Sequence, residues 1–296
     1  MANSLREVKG RIKSTKSTAQ ITKAMYMVSQ SKVKKAERVF KSYQDFMKRI
    51  AALTSLVVKK GAEDYEHPLL KKREIKKTAY LIITSDRGLA GAYNSSVYKA
   101  LTEEIKNNHN SNEEFICGAI GKLGFNYLKK MNYPLIYNEA ILVRDDVMFL
   151  DITPLSKKFI SSYIEGSIDK LVIIHNHFVN NLKIEIVKEE ILPILNISED
   201  ESVVDYVFET GVEKTIDLIL PMYLQDMIYG IILDSKCSEH SARMNSMKSA
   251  TDNAEEIIGK LELLYNRARQ NVVTTELIDI IGGANAIGGN KWCLVK

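Results

Sequence analysis

The stretch from Ser238 to Ile281, SEHSARMNSMKSATDNAEEIIGKLELLYNRARQNVVTTELIDII, decides the fold because it keeps one helical period for over forty residues. Two rows of apolar or small side chains recur every seven residues along it, which is the pattern of a supercoiling helix. The first row is Met247, Ala254, Leu261 and Ala268, and the second is Ala250, Ile257 and Leu264. At ~1.5 Å per residue this stretch would be a rod of roughly 65 Å. Such a rod needs a partner helix along its apolar seam.

The first sixty residues supply that partner, because they carry the same seven-residue period. One row is Leu5, Ile12, Ala19, Tyr26, Val33, Phe40 and Met47, and the other is Val8, Ala36, Tyr43, Ile50 and Val57 with the small polar Thr15, Thr22 and Ser29 between. The first helix runs into the central part of the chain and the last helix runs out of it. Two such helices on one side of a central domain must be antiparallel.

The composition is that of a folded, soluble protein. The chain has 296 residues, of which 45% are hydrophobic and 26% charged, enough for one sizeable core plus an extended element. The most apolar window, 218–233, contains a proline, a glutamine and an aspartate, so we expect no membrane span. The N-terminus lacks the apolar core of a secretion signal, and Cys117, Cys237 and Cys293 form no metal or disulfide pattern. A reducing compartment is expected.

Charge is distributed unevenly. Residues 1–60 hold fifteen Lys and Arg against three Asp and Glu, a balance of +12, so the remainder carries −8 of the net +4. A basic helix of this kind suits nucleic acid, an anionic membrane or an acidic protein surface, and a merely solvated face is the plain alternative. The aromatic side chains of this segment belong to the apolar rows and are not free to stack on bases. We therefore expect no nucleic-acid partner.

Between the two helices, the sequence alternates apolar runs with helical segments, which predicts an α/β domain with a parallel, doubly wound sheet. The predicted strands are 78–84, 115–120 and 171–174, with an edge strand near 182–191; the predicted helices are 95–107, 122–131 and 154–165. We therefore expect an N-terminal coiled-coil helix over 1–60, a connector over 61–77, an α/β domain over 78–208, a C-terminal coiled-coil helix over 209–287 and a flexible tail over 288–296.

No catalytic, cofactor or metal site emerges from the residues. The segment SDRGLAGAYN, 85–94, follows the first strand, where doubly wound folds often bind ligands. Its glycines do not form GxGxxG, and GxxxxGK[ST] is absent from the sequence, so a plain turn is the better interpretation. We expect His175 and His177 to point to opposite faces of the sheet and not to share a metal. The neighbouring Asp145 and Asp146 lack a nucleophile and base to act with.

Several segments resemble the gamma subunit of F-type ATP synthases. They are SEHSARMNSMKSATDNA, YNRARQ and TTELIDIIGGANA near the C-terminus, ITKAMYMVSQSKVKKA from 21 to 36, and SDRGLAGAYN. They occur in the family's order and span nearly the whole chain. The resemblance implies an antiparallel two-helix coiled coil formed by the N- and C-terminal helices, with a Rossmann-like central α/β domain.

The resemblance also implies a non-catalytic function without a cofactor. The chain would be the rotor shaft that couples proton flow through the membrane ring to ATP synthesis in the surrounding hexamer. Its partners would be the alpha and beta subunits, the epsilon subunit and the membrane ring of c subunits. Residues that would contact the hexamer are Lys23, Met25, Lys32, Lys34, Lys35, Arg38, Arg243, Arg269, Gln270, Thr274 and Glu276.

The sequence departs from the family pattern in two places. Ala90 stands where the family commonly has cysteine or another small residue, and Ala92 where it commonly has glycine. The residues from Ile287 to Lys296 continue past the family's usual end. The redox cysteine pair of the chloroplast form is missing. Because no Arg-rich transit sequence precedes the first helix, we expect a bacterial protein on the cytoplasmic face of the plasma membrane, with a processed mitochondrial chain as the alternative.

Two other classes of function are compatible with the pattern. One is an enzyme or a ligand-binding α/β protein that dimerises through a coiled-coil arm and would bind a small molecule at 85–94. The other is a free-standing coiled-coil scaffold. Co-purification with alpha and beta subunits distinguishes the rotor subunit from both.

Overall fold

The computed structural model describes residues 2–61, 65–195 and 211–288 of the chain. These described residues form two units: those up to Met27 with those from Met247 onward, and those between Val28 and Ser246. The acidic segment 199–205, most of the predicted tail 288–296, and Cys293 lie outside the described residues. The predicted domain boundaries stay predictions, since the one at 208 also falls outside them.

Two long helices account for nearly half of the chain. Helix α1 spans Ala2–Gly61 and helix α5 spans Val212–Gly288. Between them lie strand β1 (Thr78–Ile83), helix α2 (Tyr93–Asn108), β2 (Phe115–Ile120), α3 (Lys122–Lys130), α4 (Phe149–Ile164), β3 (Lys170–Phe178) and β4 (Ile184–Leu192). A one-turn 3₁₀ helix, Pro68–Leu70, lies in the predicted connector. The predicted helices and strands are confirmed, with boundaries shifted by up to five residues.

In the first unit, α1 and α5 contact each other in antiparallel order. Lys16 Nζ lies 2.7 Å from Glu262 Oε1, and Thr251 Oγ1 donates to Thr22 Oγ1 at 2.8 Å. Later residues of α1 therefore meet earlier residues of α5. The contact is narrow, and small side chains such as Ala19 are buried in it.

The predicted second apolar row of α5 is wrong. Ile257 and Leu264 are 48% and 53% exposed, whereas Thr251 is buried and Ile258 and Tyr265 are half-buried. Residues three and four positions after each member of the first row lie on opposite sides of that row. The prediction chose the side with Ile257 and Leu264 because those residues are apolar. In the structure the other side, which contains Thr251, faces α1, where Thr251 bonds to Thr22.

In the second unit, a four-stranded sheet has the order β2-β1-β3-β4. Strand β1 pairs in parallel with β2 and β3, and β4 adds an antiparallel edge strand. Alternate residues of β1 pack to opposite sides: Leu81 joins a core with α4 and α5, while Ile82 joins a second core with α2 and α3. The sheet is thus covered on both faces, as expected for strands that are apolar throughout.

Helix α5 contains an 18-residue window with a mean hydropathy of 1.5, of which 56% is buried in the protein. By length and composition this helix passes a test for crossing a membrane, which the sequence interpretation did not expect. A buried core helix passes the same test. Leu220, Leu224 and Ile228 of this helix are completely buried in the core beneath the sheet, so their apolar character serves packing in the second unit.

The turn between β2 and α3 depends on Gly121. Residues other than glycine rarely adopt its φ of +94°. A Cβ at this position would lie 2.2 Å from the carbonyl oxygen of Thr84. Thr84 is fixed at this point because its N–H and its hydroxyl both donate to Ile120 O at 2.9 Å. The carbonyl oxygen of Thr84 could move away from residue 121 only if these hydrogen bonds between the ends of β1 and β2 were broken.

We expect Gly121→Ala to lower the free energy of unfolding by about 2 to 5 kcal/mol, because a strained φ and a steric overlap add together. Urea unfolding followed by circular dichroism measures the change. Gly88→Ala is the matched control, since a Cβ at Gly88 meets nothing within 4 Å and its φ is not positive. Equal midpoints for the two variants would contradict this account of the turn.

Candidate partner-binding surfaces

The turn at 85–94 uses its polar groups to hold itself together. Asn94 Oδ1 accepts from the Ser85 N–H at 3.0 Å, and Ser85 Oγ donates to Arg87 O at 2.7 Å. Asp86 Oδ1 accepts from the Lys122 N–H at the start of α3, at 2.9 Å. The side chains of Ser85 and Asn94 and one oxygen of Asp86 are thus used within the fold, which supports the interpretation of this segment as a strand-to-helix turn.

The prediction that His175 and His177 point to opposite faces is wrong. Residues two apart on a strand share a face, and both imidazoles approach Asp234 of α5. His177 Nδ1 lies 2.7 Å and His175 Nδ1 3.8 Å from Asp234 Oδ2. Burial raises the pKa of the Asp234 carboxyl, and the hydrogen bonds from His177 and from the Phe178 N–H oppose that rise. The hydrogen bond between His177 and Asp234 therefore joins strand β3 to helix α5.

Within 2–61, 65–195 and 211–288, no group of three or more His, Cys, Asp or Glu is arranged to hold a metal ion. Asp145, one of the adjacent aspartates, is instead an ion-pair partner. Its carboxylate lies 2.6 Å from Lys32 Nζ and 3.3 Å from His240 Nε2. Burial alone would raise the pKa of Asp145, but the Lys32 hydrogen bond and the nearby positive charges lower it.

The predicted contact residues of the last helix lie on the surface of the first unit. Arg269, Gln270, Thr274 and Glu276 are all exposed on α5. The Thr274 hydroxyl donates to Gln270 O at 2.8 Å within the helix, so its oxygen is left to accept from a partner. The set offers a guanidinium, an amide, a hydroxyl acceptor and a carboxylate within two turns.

Two predicted contact residues lie on α1 of the same unit. Lys23 is exposed and Met25 is half-buried beside the helix seam. A partner that reached Lys23 would meet a charged group whose side chain is free to reorient, as is usual for surface lysines.

The basic turn of α1 lies in the second unit and is only partly available to a partner. Lys34, Lys35 and Arg38 are exposed, whereas Lys32 is committed to Asp145. A partner that paired with Lys32 would have to replace an existing ion pair. We therefore regard the other three as the available cations.

Arg243 is held inside the second unit. Its Nη1 lies 2.9 Å from Glu239 Oε1, its Nη2 donates to Arg87 O at 3.2 Å, and its side chain is only 13% exposed. The structure thus brings Arg243 to the turn at 85–94 and not to the exposed basic residues. The sequence analysis did not predict that Arg243 bonds to this turn. The run of polar residues that precedes it in α5, from Asp234 onward, was a signal that this part of the helix bonds to other elements.

Comparisons with known proteins agree with the architecture. A family model described as ATP synthase matches residues 4–287. Among solved structures, the chain is similar to a chain from the central stalk and c-ring of the mitochondrial ATP synthase of Tetrahymena thermophila, with 25% identity and a TM-score of 0.59. That alignment covers 78% of this chain and 99% of the other.

Two structures of the mitochondrial ATP synthase of Euglena gracilis are also similar. A chain from the OSCP, F1 and c-ring assembly in rotational state 3 is 16% identical, with a TM-score of 0.68 and coverage of 100% of this chain and 98% of the other. A chain from the rotor in rotational state 1 is 15% identical, with a TM-score of 0.64 and coverage of 92% and 100%. At these identities the Euglena chains establish the fold alone.

The family match includes both long helices and the sheet between them, and leaves out only a few residues at each end of the chain. Fold and family agree in describing a subunit of the central stalk. The chain therefore belongs to the gamma-subunit family of ATP synthases, and it is a non-catalytic subunit that forms the rotor shaft of the complex.

Proposed function

We propose that this chain turns inside the hexamer of alpha and beta subunits, with its terminal helices as an antiparallel coiled coil and its sheet as a Rossmann-like domain. The family match over 4–287 carries this proposal. The solved relatives belong to assemblies of F1 with a c-ring and to a rotor. We assign the alpha and beta subunits and the c-ring as partners of this chain, and the epsilon subunit on the sequence resemblance.

Contacts within the first unit support the coiled coil. The Lys16–Glu262 and Thr22–Thr251 contacts follow the antiparallel order. Buried or half-buried positions recur every seven residues on both helices, as in a coiled coil. Small residues at the contact allow the two backbones to approach closely, which leaves most of each helix surface facing outward.

Exposed apolar side chains support insertion into a surrounding sleeve. Along α5 of the first unit, large hydrophobic side chains are between 48% and 68% exposed: Ile257, Leu263, Leu264, Val273, Leu277, Ile278, Ile280 and Ile281. A monomeric protein rarely exposes such a series, and large exposed apolar surfaces mark interaction sites. A partner that encloses the helix pair would remove this surface from water.

Asymmetric contacts explain how such a shaft could control catalysis on other subunits. A ligand shifts a conformational equilibrium only by as much as it binds the two states differently. Because the two helices present different side chains around their circumference, each catalytic subunit of a hexamer would meet a different surface at a given angle. Rotation would then shift each site in turn among its states, and so couple proton flow to ATP synthesis.

The stalk is part of a membrane-associated complex and is peripheral to the membrane. The assignment to a bacterial enzyme on the cytoplasmic face of the plasma membrane remains a prediction from the sequence. The solved relatives described above are mitochondrial. Immunogold labelling of cells with an antibody to this chain distinguishes a plasma membrane from an internal one.

Co-expression of this chain with alpha and beta subunits of the same genome tests the function. We expect one complex on gel filtration that contains all three chains and hydrolyses ATP, while the separate chain shows no turnover. Failure of the chain to enter the complex, or rigorous purification of an ATPase activity with the separate chain, would contradict a rotor subunit.

We expect the double variant Gln270→Ala with Thr274→Ala to lower ATP turnover of the assembled complex about fivefold or more. Each neutral hydrogen bond contributes ~0.5 to 1.5 kcal/mol, and two lost bonds at the lower value already give a factor of about five. Steady-state hydrolysis at equal amounts of complex measures the change. Lys248→Ala, an exposed residue nearer the start of this segment, is the control and should change turnover much less. Equal rates in all three proteins would mean that these side chains are only solvated.

We expect Lys23→Glu to reduce the number of protons pumped per ATP hydrolysed in membrane vesicles. An exposed ion pair contributes only ~0.2 to 1 kcal/mol, so reversing the charge should weaken coupling without preventing assembly. Acidification of the vesicle interior and ATP hydrolysis are measured together. The same change at Lys130, an exposed lysine of α3, is the control. A ratio unaltered by Lys23→Glu would exclude Lys23 from the coupling contact.

A further inference from the structure

Helix α5 is buried on every side from Ile231 to Ser241, although most of this segment is polar. The polar members are each 9% exposed or less: Asp234, Ser235, Lys236, Ser238, Glu239, His240 and Ser241. Burying polar groups is costly unless they are hydrogen-bonded. Apolar residues would fill the same space without that cost. The hydroxyls of Ser235 and Ser238 and Nδ1 of His240 have no hydrogen-bond partner among the described residues. The bonds that Asp234 and Ser241 make to other elements therefore indicate what the segment does.

One side of the helix is bonded to the end of β3. Asp234 accepts from His177 Nδ1 at 2.7 Å and from the next backbone N–H at 2.9 Å. Ser241 Oγ and Asn245 Nδ2 both donate to Asn181 O, at 3.1 and 2.6 Å. At ~100° per residue, these three α5 residues lie within about 20° of one line along the helix.

Another side of the helix is bonded to the turn at 85–94. Tyr93 donates its hydroxyl to Ser235 O at 3.1 Å, and Arg243 donates to Arg87 O at 3.2 Å. Burial raises the pKa of the Tyr93 hydroxyl well above its ordinary value, so it remains a donor. Ser235 and Arg243 lie roughly 100° and 180° around the helix from Asp234.

Asn176 connects the two elements that bond to α5, namely the end of β3 and the turn at 85–94. Asn176 of β3 is buried, donates to Tyr93 O at 2.9 Å and accepts from Ser96 Oγ at 3.0 Å. The side chain therefore ties the end of β3 to the start of α2, from which Tyr93 reaches α5. The end of β3, the start of α2 and helix α5 are therefore joined to one another by hydrogen bonds.

The geometry restricts one motion in particular. Apolar contact is non-directional, whereas hydrogen bonds weaken steeply when their angle changes, so these bonds add a resistance to rotation beyond that of apolar packing. Bonds on sides of the helix up to about 180° apart oppose rotation about its axis in either direction. Since α5 is continuous from Val212 to Gly288, a twist applied within Ile231–Ser241 enters the rest of the helix.

We propose that these bonds form a polar grip, defined by Asp234, Tyr93, His177 and Asn181, that transfers torque between the sheet and helix α5. The proposal rests on the proposed rotor function and adds the residues through which the shaft is turned. These are positioning residues, since the bonds described above act on helix α5 and through it. Their function is mechanical, because they set the torsional stiffness of the connection between the sheet and helix α5.

The test is the stiffness of this connection in the assembled complex of alpha, beta and this chain. A gold bead is attached to a cysteine introduced at Lys130 of α3, with Cys293→Ser to prevent labelling at the C-terminus; Cys117 and Cys237 are buried. The alpha and beta subunits are fixed to glass. Without nucleotide, the variance of the bead angle is inversely proportional to torsional stiffness.

We expect Asp234→Ala with Tyr93→Phe to raise the angular variance at least twofold, because bonds are lost on both sides of the helix. Tyr93→Phe alone removes one hydroxyl from a ring that stays packed, and should give a smaller rise. Asp234→Asn keeps an acceptor for the Phe178 N–H and should restore part of the stiffness. Tyr163→Phe is the matched control, since its hydroxyl bonds Lys71 O at 3.0 Å away from α5, and should leave the variance unchanged.

Variance equal to that of the unaltered chain in both Tyr93→Phe and the double variant would overturn the proposal. An equal rise in Tyr163→Phe would also overturn it, since the effect would then come from general loosening of the domain. Failure of the unaltered chain to assemble with alpha and beta is a different result, and it would overturn the rotor function itself.

Discussion

The structure depends on helix α5 remaining one continuous helix for 77 residues while the depth of its burial changes along it. Leu220, Leu224, Ile228 and Ile232 follow one another at intervals of one turn and are completely buried in the core of the second unit. Full burial of such a side chain stabilises by about 1.5 to 3 kcal/mol. This apolar row anchors helix α5 in the second unit. The segments of α5 that follow it can therefore be polar, as in 234–241, or largely exposed, as after Met247, without loss of the fold.

The helix pair of the first unit is built on the opposite principle. Its contact contains alanine and threonine, whose burial contributes little, and a threonine pair with one hydrogen bond between the helices. Limited packing energy is acceptable here because the apolar side chains that face outward are available to partners. A shaft that must turn inside other subunits benefits from a surface that is not already used in its own fold.

Much of this architecture was predictable from sequence, because it rests on periodicity. The seven-residue rows predicted both long helices, and alternating apolar runs predicted the sheet and its edge strand. Periodicity could not decide which flank of α5 faces α1, since Ile257 looks the better core residue than Thr251 and the choice depends on a contact with Thr22. Nor could it show that Arg243 and Asp234 bond to the turn and to β3, because those contacts join residues far apart in the chain. Whether the exposed residues near Gln270 bind a partner is a property of the complex and is not contained in one chain.

Direct observation of rotation tests the central claim. With the alpha and beta subunits fixed to a surface and a bead on the sheet of this chain, addition of ATP should produce continuous rotation in one direction, which stops when ATP is removed. A complex that contains this chain and hydrolyses ATP at a normal rate while the bead shows only random angular motion would contradict the assignment as rotor shaft.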